Sequence, residues 1–195
     1  MFPFTEDDEL MEQASANPEV RSADRKRDIP PARPLWQVLV IFVLVFALAQ
    51  FAWREARGGA VERLVVHTAT VTPAVAAVNF ITPQADARAE GARIKAAGGG
   101  LNILNGCEGT EVMFLLIAAF VAVRMRWRAR AAGLALGLGL VFVLNQGRIL
   151  ALFYAFRSNR ELFDLLHTTI LPVVLVALVA LYFYAFLHGR RPRLA

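Results

Sequence analysis

The sequence is poor in the residues that most often carry chemistry. Among 195 residues there is one cysteine and there are three histidines. A single thiol cannot close an internal disulfide, so oxidative stapling is excluded, and the cysteine is either small filler or a reactive group. There is no HExxH and no cluster of Cys or His at ligand spacing, which fits metal catalysis poorly. A GxSxG elbow is missing too, which fits serine catalysis poorly. Charge is also scarce, 19% against 57% hydrophobic residues, and the mean hydropathy is positive. That balance is too apolar for an ordinary soluble domain. The net charge of +5 would suggest nucleic acid in a soluble protein, but the arginines cluster beside apolar runs, where they orient helices in a bilayer. The chain therefore reads as an all-α integral membrane protein, partnered by the lipid bilayer and not by nucleic acid, with no cofactor.

Residues 1–34 turn from acidic to basic and end in prolines, as a flexible cytoplasmic tail would. A single membrane-embedded domain is expected over 35–188, followed by a basic cytoplasmic tail over 189–195. Residues 35–53, "LWQVLVIFVLVFALAQFAW", are free of charge and close to the roughly 20 residues that a helix needs to cross the hydrocarbon core. Further spans are expected at about 107–123, 131–148 and 168–187. Gly133 and Gly137 match the small-xxx-small spacing of close helix packing. With about four spans, the tail before Leu35, the loop "RMRWRAR" at 124–130 and the tail after Gly189 all fall on one side, which the positive-inside rule makes cytoplasmic. Counting 64–81 as a span would throw the arginine loop outside. The outer-face segment 54–106 is therefore expected to hold 64–81 lying at the interface or dipping into the membrane and 84–97 as an exposed Ala-rich helix.

Counting heights from the basic side at a rise of about 1.5 Å per residue puts Cys107 about 26 Å, Arg148 about 27 Å and His167 about 35 Å above it. Against a hydrocarbon core of about 30 Å, a thiol, a guanidinium and an imidazole from three spans share the outer boundary. Asn145 precedes Arg148 by one turn of the same helical face. Ser158, with Glu161 three residues on, reads as a capping box starting the short helix that delivers His167. Glu108 and Glu111 share a face of the second span, and either could pair with Arg148 or His167. Each residue also has a bland reading: filler for the cysteine, an interfacial anchor for an arginine at a helix end, a wet side chain for the histidine. His67 and His188 are weaker candidates. Glycines on both sides of the thiol in "NGCEG" favour the functional reading, since they let a substrate backbone approach.

"NGCEGTEVMFLLIAAF", then "NQGRILALFYAF", then the histidine of "FDLLHTTILP", in that order, resemble the exosortase/archaeosortase family of membrane cysteine transpeptidases. The resemblance covers about residues 60–187. With four spans this chain looks like a compact branch, such as exosortase H. The resemblance implies Cys107 as nucleophile, with Arg148 and His167 as the other catalytic residues. It also implies the substrates: exported proteins whose C-terminus carries a PEP-CTERM-like motif, a transmembrane helix and a basic tail. They would be cleaved at the outer face of the cytoplasmic (inner) membrane through a Cys thioester, which an acceptor nucleophile or water then resolves. A non-enzymatic membrane scaffold or assembly factor is the alternative, with Arg148 and the glutamates forming only a buried charge pair.

Overall fold

A computed structural model describes residues 33–97, 99–103 and 108–189. Most of the N-terminal tail, Cys107 and the basic tail after Gly189 lie outside the described residues. The chain is mostly helical. Helix α1 spans Leu35–Ala56, α2 Ala60–Ile81, α3 Thr110–Ala122, α4 Trp127–Ser158 and α5 Arg160–His188. Four of these, α1, α2, α4 and α5, are long and apolar enough to cross a membrane.

That set differs from the expected one at two places. α3 has only 13 residues, about 20 Å at the α-helical rise, where a 17-residue span was expected. It starts late because Gly109 stands before it with φ +78°, a left-handed conformation that breaks the helical path. Conversely, 64–81 belongs to a continuous 22-residue helix. The contacts of α2 lie toward the far half of α4: the Gln146 amide donates to the Thr70 carbonyl, and the Thr82 and Tyr154 hydroxyls share a hydrogen bond of 2.8 Å. α4 itself runs unbroken for 32 residues, about 48 Å. Its C-terminal turns continue through "ILALFYAF" and carry a core with Val71, Val78 and Ile94. The helix cap that follows is Asn159, not Ser158: its side chain accepts from the backbone N–H of Glu161 at 2.8 Å and of Leu162 at 3.2 Å.

Both α2 and α5 contain a π-helical stretch, Arg63–Val71 and Leu166–Ile170. Each stretch ends just ahead of a proline, Pro73 or Pro172. Proline lacks the N–H that the i−4 carbonyl needs, and its ring crowds that carbonyl, so the preceding turn widens. His67 and His167 both sit in such widened turns.

The fold is not all helix. In place of the expected Ala-rich helix over 84–97, strands β1 Arg88–Glu90, β2 Arg93–Lys95 and β3 Leu101–Asn102 form an antiparallel meander in the order β1-β2-β3. Glu90 pairs with Arg93 across a Gly91-Ala92 turn in which Gly91 has φ +59°; glycine in the first turn position suits a two-residue hairpin. Along β2, Ile94 is fully buried between exposed Arg93 and Lys95, the alternation of a half-buried strand.

The basic clusters gather at one end of the bundle. Arg33 donates to the Val121 and Ala122 carbonyls at the end of α3, while Trp53 near the end of α1 packs edge-on to Phe114 near the start of α3. α1 and α3 are therefore antiparallel. Phe120 packs on Phe183 and Phe186 of α5, and the Tyr182 hydroxyl donates to the Gly133 carbonyl at 2.6 Å. Arg33, the loop before α4 and the end of α5 thus share one level.

The glycines of α4 make this packing possible. A Cβ at Gly133 would lie 2.4 Å from the Phe120 ring, and one at Gly137 would lie 2.6 Å from Leu116 Cδ2 and 2.7 Å from the Tyr182 ring, whereas Gly139 has open space. Gly137→Val should therefore cost about 1–3 kcal/mol by overpacking and lower the thermal-unfolding midpoint in detergent, with Gly139→Val close to wild type. Equal midpoints for the two variants would show that the Gly137 contact does not hold α4 against its neighbours.

A buried polar layer and a histidine-lined cavity

Burying a polar group in an apolar bundle is costly unless it has partners or a task. The buried polar side chains among the described residues are Thr70, Glu108, Thr110, Asn145 and Arg148, and they cluster at one height. The Thr70 carbonyl meets Gln146, one residue after Asn145. Gly109, between Glu108 and Thr110, lies against Asn145: a Cβ on it would be 2.9 Å from Asn145 Cγ. Glycine is thus required at 109 twice over, by its positive φ and by this approach. Arg148 follows Asn145 by one turn on the same buried face of α4.

Arg148 is 8% exposed and stands ten positions before the end of α4 at Ser158, so it is not an anchor at a helix terminus. Its side chain also borders an apolar groove of about 270 Å³ between α4 and α5, with Gly147, Leu171 and Leu175 among the walls. The height of His167 follows from the Tyr182–Gly133 hydrogen bond, which joins α5 to α4. From Gly133 up to Arg148 is 148 − 133 = 15 positions, and from Tyr182 back to His167 is 182 − 167 = 15. Each is about 22 Å at the helical rise. Asp164 stands one helical turn before His167 on α5. The imidazole stacks on Phe163, with ring centroids 5.4 Å apart and planes 5° apart. Both rings border a cavity of about 200 Å³ that β3 also lines.

Of the expected site residues, then, Arg148, Asn145, His167 and Glu108 come to one end of the interhelical packing. Cys107 lies outside the described residues, and its chain neighbour Glu108 is 5% exposed. Glu111 is exposed on the first turn of α3, and Arg88–Asp86 and Lys95–Glu90 form ion pairs on the sheet. The other histidines have structural partners. His67 Nδ1 lies 3.0 Å from the Gly91 carbonyl and His188 Nδ1 lies 3.1 Å from the Tyr184 carbonyl, the latter at the basic end.

Sequence reasoning missed Thr70, Thr110 and Asp164. Thr110 had a signal, being the first residue of an apolar run beside the thiol, and so had Asp164, one helical turn before His167; Thr70 had none, because only tertiary packing brings it here. Chemically the layer offers hydrogen-bond donors in a buried setting, where developing negative charge is best stabilised, and the imidazole of His167 borders a cavity of its own. Comparison with family models, curated proteins and solved structures returns no match.

Proposed function

We propose that the protein is a membrane-embedded cysteine peptidase or transpeptidase acting on C-terminal sorting signals of exported proteins. The observation that supports this most is the layer of buried Glu108, Thr110, Asn145 and Arg148 next in sequence and space to the start of α3, directly after the only cysteine. A purely structural bundle gains little from collecting ionisable groups where apolar packing would serve.

In the proposed reaction the Cys107 thiolate attacks the scissile carbonyl carbon, and the electron pair moves onto the oxygen. Arg148 donates hydrogen bonds to that oxyanion. When the carbonyl reforms, the C–N bond breaks and His167, protonated, gives its proton to the leaving amine. The thioester left on Cys107 is attacked by an amine or by water, which gives a proton to the now neutral His167, and the thiolate departs. The basic end of the bundle faces the cytoplasm in this reading, so the polar layer opens toward the outer face.

The test is co-expression of the full-length chain with reporter proteins that end in a PEP-CTERM-like motif, an apolar helix and a basic tail. Intact-mass measurement should find the reporter shortened within the motif, carrying either a free carboxylate or an acceptor. Reporters recovered at full mass across the panel would return the chain to the scaffold reading.

A further inference from the structure

The cavity beside His167 is lined on one side by three successive residues, Leu101, Asn102 and Ile103, on another by Phe163 and His167 of α5, and by Leu152 of α4. Successive side chains of an extended strand point to opposite faces. Leu101 and Ile103 are 6% and 5% exposed, whereas Asn102 is exposed, so the first two turn inward and the third outward. A cavity that touches all three lies against the edge of the strand. The hydrogen-bond pattern shows which edge. Ile103 N–H donates to the Ala92 carbonyl at 2.8 Å, and the register pairs Arg93 with Asn102 and Ile94 with Leu101. Bonded and non-bonded pairs alternate along an antiparallel ladder. Leu101 and Ile103 thus spend their backbone groups on β2, and Asn102 turns its N–H and C=O away from the sheet. Among the described residues no strand pairs with that side of β3.

We propose that this free edge of β3 docks the substrate backbone in extended form, and that the cavity between it and His167 receives one apolar side chain of the segment being cleaved. The inference rests on the peptidase reading above and adds to it where the substrate lies and what it must present. Adding an extended peptide to a sheet edge is a general mode of peptide recognition, in which main-chain hydrogen bonds hold the chain and pockets select alternate side chains. At about 200 Å³ the cavity is smaller than the roughly 300–1,000 Å³ of a small-molecule site, so it suits a single side chain. Its lining is apolar except for Asn102 and His167, so a charged side chain would lose its hydration without gaining a partner. One that fits brings the adjacent main chain past the imidazole.

The experiment uses the full-length protein in membranes with a library of reporters in which ten residues ahead of an apolar helix and an Arg-rich tail are randomised. Sequencing of the processed reporters should show Leu, Ile, Met or Phe enriched at one position. Leu152→Phe, which fills the cavity, should move that enrichment to Ala and Gly by about 10-fold or more, in line with the roughly 10–200-fold that one methylene is worth in such a pocket. Phe163→Ala, which enlarges it, should extend the enrichment to Trp, and serves if the filled variant does not fold. Asn102→Pro removes the outward N–H at an edge position where proline is tolerated, and should slow processing of the enriched reporters about 10-fold with protein abundance unchanged. Processing that requires Cys107 yet keeps its side-chain profile in the cavity variants and its rate in Asn102→Pro overturns the docking strand alone. Processing that persists in Cys107→Ala overturns the peptidase reading, and the docking strand with it.

Discussion

Arg148→Lys is expected to leave the protein inserted and at normal abundance while lowering reporter processing by roughly 100-fold or more, the usual cost of losing an oxyanion donor. The substitution keeps the positive charge, so a role in anchoring or orienting α4 would survive it. It removes the planar fork of donors, which a point charge on a shorter stem does not reproduce. The anchoring alternative is already weakened by position, since α4 continues past Arg148 to Ser158 and the side chain is 8% exposed. Processing rate and thermal midpoint should be measured together. A Lys variant that loses rate but keeps its midpoint supports the oxyanion role. One that processes normally would assign Arg148 to packing, beside Asn145.

What the chain will build is readable mainly where one period dominates. The uncharged run of α1 and the apolar end of α5 identify themselves, and Gly133 and Gly137 announced a close approach that the Phe120 and Tyr182 rings make. Two segments misled for opposite reasons. Over 84–97 the alanines suggest helix by propensity, but the charged residues Arg88, Glu90, Arg93 and Lys95 alternate with Ala89 and Ile94 around Gly91. The period of two outweighs propensity once α4 offers Ile94 a core. Over 64–81 the polar interruptions suggested a segment lying at the interface, not a helix long and apolar enough to cross, which is what forms. There Thr70 and Thr72 return their hydroxyls to the carbonyls of Val65 and His67, which lets a helix carry them through an apolar setting.

The site was legible as residue types but not as a network. Helical counting from the basic side put Arg148 and His167 at heights about 8 Å apart, and the Tyr182–Gly133 link brings the two counts level. No counting rule could show that Gly109 sits on Asn145, because that contact depends on how α3 meets α4. Nor could it show that β3 borders the His167 cavity. The glycines around the thiol were read as room for a substrate backbone; at Gly109 the room is taken by Asn145.

Cys107→Ala should abolish processing, by an estimated 10⁴-fold or more, as removal of a covalent nucleophile does, with no change in abundance. The reason to expect chemistry from this thiol is its neighbourhood in the chain: Glu108, Gly109 and Thr110 lead from it directly into the buried layer that holds Asn145 and Arg148. A thiol near cationic groups carries more thiolate, the form that reacts. A membrane-impermeant maleimide applied from outside should therefore label the wild type at neutral pH, which also reports the side on which the layer opens. Labelling should slow in His167→Ala if the imidazole supports the thiolate, and it should not respond to His188→Ala, since His188 is bound to the Tyr184 carbonyl at the basic end. The two measurements separate the causes of a negative result. A labelled thiol whose loss leaves cleavage intact is accessible but idle, and the transpeptidase proposal fails. A thiol labelled only from the cytoplasmic side keeps the chemistry open but reverses the bundle, placing Arg33 and the arginines of 124–130 outside, against the charge rule that oriented it.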